Sequence, residues 1–478
     1  METTIIKKRT QLCKVHLVFS IIIYILVWLF GLESLYGFML LYGFFSLCIF
    51  SLLLKSELRF GGVSLVTLFI AGAYLRLLIP TVSYAISAAE GVCYGFKYDY
   101  TDVLFPTTIA MNIYYVAFLL LVTFFSKSNR NLSIDLSVLV KKKNILKYIL
   151  LLFSWGLLYT VTSISSSIGV LGMFFDNFTS MALVMLAFVC VYKSEKKYLY
   201  IFYVLIIIEV VRNIVWGFYK GAIIQPIFIF AMFYLFYCKY NNKKILNVKS
   251  LALVSFAIIF MLGFVYPFMN AKRYAAGWDP TNGITQDINV KDIVVAIYDN
   301  RDKLVDDGQS DAMLSRFDAI SPNAYFYKLV EVKGVDLVVL YASFRQFWPK
   351  WLGRDTSNDI LMNPGYIVTS FIEYGRLSHL SFYSSSYIGA FASGYFWGWW
   401  IGVIIVCLFN AYTISWLLNY CSSHSTNYLC MLVITGIIMA SFSCFEEVHS
   451  GGFSRAIIWY IYIIVQKLFS SIKFIKYV

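Results

Sequence analysis

The chain alternates long apolar runs with short cationic connections. Runs able to span about 30 Å of hydrocarbon fall near 15–32, 35–54, 62–87, 104–125, 147–164, 175–192, 198–217, 222–238, 249–269, 398–419, 428–445 and 456–470. That predicts about twelve membrane spans. Backbone in hydrocarbon must satisfy its own hydrogen bonds, so each run predicts a helix. The run 62–87 is the least regular, because it carries Arg76 and Pro80. One polar stretch breaks the rhythm. The pattern divides the chain into 1–269 with the first nine spans, a long external segment 270–397, and 398–478 with the last three. The fold class is an all-α polytopic integral membrane protein with one long external loop.

Composition agrees with the pattern. The 478 residues are 60% hydrophobic and 14% charged, against about 45–50% and 25% in soluble domains. The net charge of +13 points to nucleic acid only if its distribution is ignored. With the N-terminus inside, 22 of the 39 Lys and Arg fall in cytoplasmic segments, in clusters such as Lys7–Arg9, Lys141–Lys143 and Lys193–Lys197. This is the positive-inside pattern, with both termini cytoplasmic. No nucleic-acid partner is expected. The nine cysteines lie mostly inside apolar runs, and none falls between Lys239 and Trp399. This excludes a disulfide framework and a Cys-x-x-Cys metal site. No small-residue cleavage site follows the first run, so it does not read as a removed signal.

The external segment has two characters. Asp279 to Asp318 holds nine Asp against four cations, while Tyr341 to Arg354 is basic and aromatic. The stretches "VDLVVLYASF" and "NPGYIVTSFIEYG" are too short to cross. They suit helices that lie in the interface or re-enter the membrane partway.

Within "FRQFWPKWLGR", Arg345, Lys350 and Arg354 converge without an acid, Trp348 and Trp351 suit headgroup depth or a sugar face, and Pro349 breaks any helix. Arg forks match phosphate oxygens and Lys supplies a point charge. A lipid-linked phosphate is the ligand this chemistry fits; a plain interfacial anchor is the competing account. Lys220 lies in the turn "GFYKGA". Arg76 sits near the middle of a run, where a charge must pair or face water. Glu209 and Arg212 share a helical face and suit an ion pair. The last outer loop, "FEEVHSGGFSR", offers Glu446, Glu447, His449 and Arg455, and His379 is another external histidine. A carboxylate or imidazole there could act as general base, though carboxylates also cap span ends. His16 and His424 are expected on the cytoplasmic side. No His-Glu-x-x-His, phosphate loop or serine-hydrolase elbow occurs.

The layout resembles the Wzy-type O-antigen or oligosaccharide repeat-unit polymerases. The likeness rests on about a dozen spans with a late external loop, on the turn "WGFYKGAIIQP", on "FRQFWPKWLGRD", and on "SSYIGAFASGYFWGWWIGVIIV" leading into a span. Where that family often carries Glu after the Gly of the last segment, this chain has Ala390, so no catalytic carboxylate is carried to that position.

The resemblance implies a GT-C-like architecture in the bacterial inner membrane and metal-independent glycosyl transfer at its outer face, without a cofactor. Its substrates would be undecaprenyl-diphosphate-linked oligosaccharide donor and acceptor, its surroundings membrane lipids, and its partners a chain-length regulator and a flippase. Arg345, Lys350, Arg354, Lys220, Arg76, Arg212 and Arg455 would bind diphosphate, Trp348 and Trp351 would meet sugar or headgroup, and Glu446, Glu447, His449 or His379 would act as base. An O-antigen ligase has the same charge logic. A lipid-linked oligosaccharide flippase or other transporter, or a structural export component, is the alternative of another class.

Overall fold

Where the structure describes them, the apolar runs fold as helices. The structure, a computed structural model, describes residues 2–33, 35–58, 63–88, 97–126, 132–134, 144–161, 178–193, 195–215, 221–241, 266–275, 318–338, 364–376 and 389–423, with a few single positions besides. Among the described residues, five helices are long and apolar enough to cross a membrane, over Thr4–Phe30, Tyr36–Glu57, Leu65–Ile86, Thr101–Phe125 and Ala390–Ser423. Shorter apolar helices cover Ile145–Tyr159, Phe178–Lys193 and Ile229–Cys238. The expected spans 428–445 and 456–470, and most of 249–269, lie outside the described residues.

The first helices form an antiparallel bundle. α1 (Glu2–Phe30) and α2 (Tyr36–Glu57) are held by polar pairs that step in opposite directions along the two chains: Arg9 with Glu57, His16 with Ser46, Ser20 with Tyr42. His16 is therefore buried between the two helices. Its Nε2 meets Ser46 Oγ at 3.2 Å and its Nδ1 meets Ser20 Oγ at 3.0 Å. Apolar neighbours alone would leave both ring nitrogens unsatisfied, and these hydroxyls remove that cost. β1 (Val63–Ser64) pairs antiparallel with β2 (Ser133–Ile134) as a short clip.

α3 (Leu65–Ala73) runs through a π turn, Tyr74–Leu78, into α4 (Ile79–Ile86). Pro80 explains the turn. Proline has no amide to offer the carbonyl four residues back, and its ring crowds that carbonyl. The carbonyl belongs to Arg76. Widening to a π turn relieves the crowding and turns the carbonyl toward a neighbour. After a 3₁₀ turn at Thr101–Val103, α5 (Leu104–Phe125) is buried along most of its length and packs against α1.

A second group follows: α6 (Ile145–Val161), α7 (Phe178–Lys193), α8 (Lys196–Val215) and α9 (Gly221–Tyr240). α7 is its centre, packed against α6, α8 and α9. α10 (Tyr266–Ala275) follows.

The segment expected to be external contributes α11 (Ile320–Lys333) and α12 (Pro364–Tyr374). α11 packs against α5 and α13 (Ala390–Ser423). α13 is two helices. Gly398 and Trp399 have non-helical backbone, and Trp399 takes φ +49°. The chain folds back there, bringing Gly394 onto Gly402: a Cβ at Gly394 would lie 2.9 Å from the Gly402 carbonyl oxygen. Only glycine permits that approach. The short arm, 390–397, ends at the boundary expected between external segment and span. The long arm, 400–423, runs parallel to α5: Asn410 Nδ2 donates to Tyr114 Oη (3.1 Å), Ser415 Oγ to the Val122 carbonyl (3.2 Å), and Asn419 Nδ2 to the Phe125 carbonyl (3.3 Å).

Several helices present apolar stripes outward. On α1 these are Val15, Val18, Ile22, Ile25 and Leu29; on the long arm, Ile401, Ile404, Ile405 and Leu408. Stripes at helical spacing that no protein covers are what lipid contact requires.

Candidate functional site

Among the described residues, one cluster of buried polar groups lies beside the backbone of Arg76. Arg76 lies about halfway along the run Leu65–Ile86 and is half-buried. Its carbonyl, freed by Pro80, accepts the Ala319 amide at 3.0 Å. Beside it, Asp318 is buried and fixes the start of α11. One carboxylate oxygen accepts the Ile320 amide at 2.7 Å and the Ser321 amide at 3.2 Å. The other accepts the Tyr84 hydroxyl at 2.5 Å, and that hydroxyl also meets Ser321 Oγ at 2.9 Å. The first turn of a helix leaves amides without partners, and Asp318 supplies acceptors for two of them. Asp318 closes the acidic stretch of the segment expected to be external, and its buried carboxylate is turned inward onto α4.

From this deep start α11 climbs toward the end of the bundle where α1 finishes and α5 begins. Tyr327 Oη meets Tyr24 Oη at 2.7 Å, and its ring stacks on Tyr395 with centroids 4.5 Å apart. Tyr24, Tyr395 and Phe391 close on Trp400 with centroids within 6.1 Å. Asn323 Oδ1 accepts the Ala392 amide at 3.0 Å, which ties α11 to the short arm of α13. At the rim Lys328 pairs with Asp102. Burial would lower its ammonium, but the Asp102 bond and charge outweigh that and raise it. Asp99 is held below the usual carboxylate range by its bonds from the Thr101 amide and hydroxyl.

α12 lies at the same end. The Lys97 amide donates to the Ile372 carbonyl (3.0 Å) and Tyr325 Oη to the Phe371 carbonyl (2.6 Å). Lys333 donates to the Gly375 carbonyl and sits 5.7 Å from the Tyr98 ring centre. Within "NPGYIVTSFIEYG", Pro364–Tyr374 is thus a docked helix.

A second polar cluster closes the far end of α8. Glu209 is buried, and its Oε1 accepts Arg212 Nη2 at 2.6 Å and Thr179 Oγ1 at 3.0 Å. Arg212 Nη2 also donates to Asn213 Oδ1 at 3.0 Å. The ion pair anticipated from the i, i+3 spacing is present. Lys272, buried on α10, donates to the Ile214 carbonyl at 3.2 Å. The sequence reading missed Lys272, which stands just past an apolar run and carries no motif.

Arg76 and Arg212 are thereby placed, in separate clusters. Lys220, Arg345, Trp348, Lys350, Trp351, Arg354, His379, Glu446, Glu447, His449 and Arg455 lie outside the described residues. Among the described residues no group of three or more His, Cys, Asp or Glu is placed to hold a metal ion. No protein-family model, no curated protein and no solved structure matches the chain.

Proposed function

We propose that the chain is a Wzy-type polymerase of lipid-diphosphate-linked oligosaccharides, built on about twelve spans in a GT-C-like arrangement, in the bacterial inner membrane with both termini cytoplasmic. One observation carries the reading most: α11, α12 and the short arm of α13 gather at the end where α1 finishes and α5 begins, and α11 reaches from there to the Arg76 turn. A segment folded into one end of a helical bundle, with arginine at its deep point, suits an enzyme that holds a charged lipid headgroup at a membrane face. The parallel course of α5 and the long arm supports the same threading.

The chemistry follows from the leaving group. An acceptor sugar hydroxyl bonds the anomeric carbon as that carbon's bond to the diphosphate oxygen breaks. The diphosphate leaves with the electron pair, and the hydroxyl proton passes to a base. Fixed cations stabilise the charge that grows on the diphosphate, and positioning of the acceptor supplies much of the rest. Arg345, Lys350, Arg354 and Arg76 are proposed for the diphosphate, with Lys220, Arg212 and Arg455 in support. Trp348 and Trp351 are proposed to meet sugar or headgroup. Glu446, Glu447, His449 and His379 are the proposed bases.

Single substitution of Arg345, Lys350 and Arg354 by Ala tests this, with surface polymer read on gels. The reading expects short polymer, down to one capping unit per lipid. Full-length polymer in all three, at normal protein levels, would refute the diphosphate clamp. Loss of every attached unit would indicate a ligase instead.

A further inference from the structure

We propose that Asp318 is a positioning residue: with Tyr84 it latches the start of α11 onto the Arg76 carbonyl that Pro80 exposes, and so sets where Arg76 stands. The role given to Arg76 rests on the polymerase reading; the latch itself rests on geometry.

Three local facts converge. Pro80 removes the amide that would have taken the Arg76 carbonyl within the helix, and the π turn re-aims that carbonyl. The Ala319 amide takes it from another element, 243 positions away in the chain, at 3.0 Å. Asp318, next to Ala319, is locked from two sides, by the Ile320 and Ser321 amides of α11 and by the Tyr84 hydroxyl of α4. Tyr84 stands two helical turns beyond Arg76 on the same helical run. The segment 318–321 therefore holds the middle of the π turn, at the Arg76 carbonyl, and the α-helix that follows it, at Tyr84. The π turn is the part of this run with alternative hydrogen-bonding arrangements, so fixing its carbonyl fixes the backbone that carries the Arg76 side chain. α11 also bears Tyr327 and Lys328 at the rim, so the same latch links Arg76 to the outer face of the bundle.

The test compares Asp318→Leu, Asp318→Asn, Tyr84→Phe, Arg76→Ala and the Asp318→Leu/Arg76→Ala double variant, in the full chain in lipid vesicles. Asp318→Leu should lower kcat by about 100-fold, as small misplacements of a substrate-holding group do, with KM nearly unchanged. Asp318→Asn keeps acceptors for the amides, and the Tyr84 hydroxyl can turn to accept, so it should restore most of the turnover. The double variant should be no worse than Arg76→Ala alone. Tyr84→Phe, a smaller change with less risk to folding, should give an intermediate loss. Independently of activity, hydrogen exchange at the Ala319 amide should rise by about tenfold in Asp318→Leu. Losses that multiply in the double variant, or unchanged exchange at Ala319, would overturn the latch. A wild-type chain that makes no polymer would overturn the polymerase reading, and the exchange result would then decide the latch alone.

Discussion

Arg9 and Glu57 form a bidentate ion pair at 2.7 and 3.0 Å, and their side chains are 1% and 0% exposed. Ser64 Oγ adds a bond to the same carboxylate at 2.8 Å. The pair joins the start of α1, the end of α2 and β1. Arg9→Met keeps the apolar stem and removes the guanidinium. Glu57 then stays buried without its cation, at a cost of about 3–5 kcal/mol. Glu57→Met should cost about the same, because it takes the carboxylate away from the buried guanidinium. The double variant replaces both charges with groups of similar volume and should recover most of the loss, since apolar replacement of a buried pair is often neutral or stabilising by about 1–4 kcal/mol. Thermal unfolding of the four proteins in detergent gives the coupling energy, which should be at least about 3 kcal/mol. Single substitutions costing under about 1 kcal/mol, as for an exposed pair, would refute the argument and mean that water reaches the site.

Gly402→Ala should break the reversal in α13. Its Cβ would overlap the Gly394 carbonyl, and backbone cannot yield as a side chain does. Protease cutting near Trp399 should rise while the long arm stays helical. Gly375→Ala adds a Cβ 2.6 Å from the Tyr98 ring at φ +62°. The left-handed backbone alone costs about 1–2 kcal/mol, and exchange at the Lys97 amide should report the release of α12. Pro80→Ala restores an amide that competes for the Arg76 carbonyl. Helix propensity predicts a gain of up to about 3 kcal/mol, yet exchange at Ala319 should increase, and a faster-exchanging Ala319 with an unchanged or higher melting temperature is the expected signature.

The apolar runs were legible as helices, because backbone in hydrocarbon must satisfy its own hydrogen bonds, and five helices among the described residues are long and apolar enough to cross a membrane. The chain reverses at Gly398–Trp399, where the apolar run 398–419 begins; the run marked the place, but the reversal itself depends on the close approach of Gly394 and Gly402. The partners of Arg9 and His16 were not legible, because position in a cationic cluster or near a terminus says nothing of the partner. Glu57, 48 positions away, decides where Arg9 goes. α11 was hidden by its composition. "ISPNAYFYKLVEVK" is too short and too polar for a span, and its burial depends on α5 and α13. The irregularity at Arg76 and Pro80 was visible in "YLRLLIP", but the donor that completes it lies in α11. A π turn is written locally and its partner is not.

The most direct test of the central claim uses the purified full-length chain in phospholipid vesicles, supplied with one polyprenyl-diphosphate-linked oligosaccharide and a metal chelator. Product lengths and released polyprenyl diphosphate are followed together. The account predicts a ladder of polymers and one polyprenyl diphosphate released for each new linkage. Oligosaccharide lipid that crosses the bilayer unchanged, with no ladder and no release, would contradict it and make the chain a transporter.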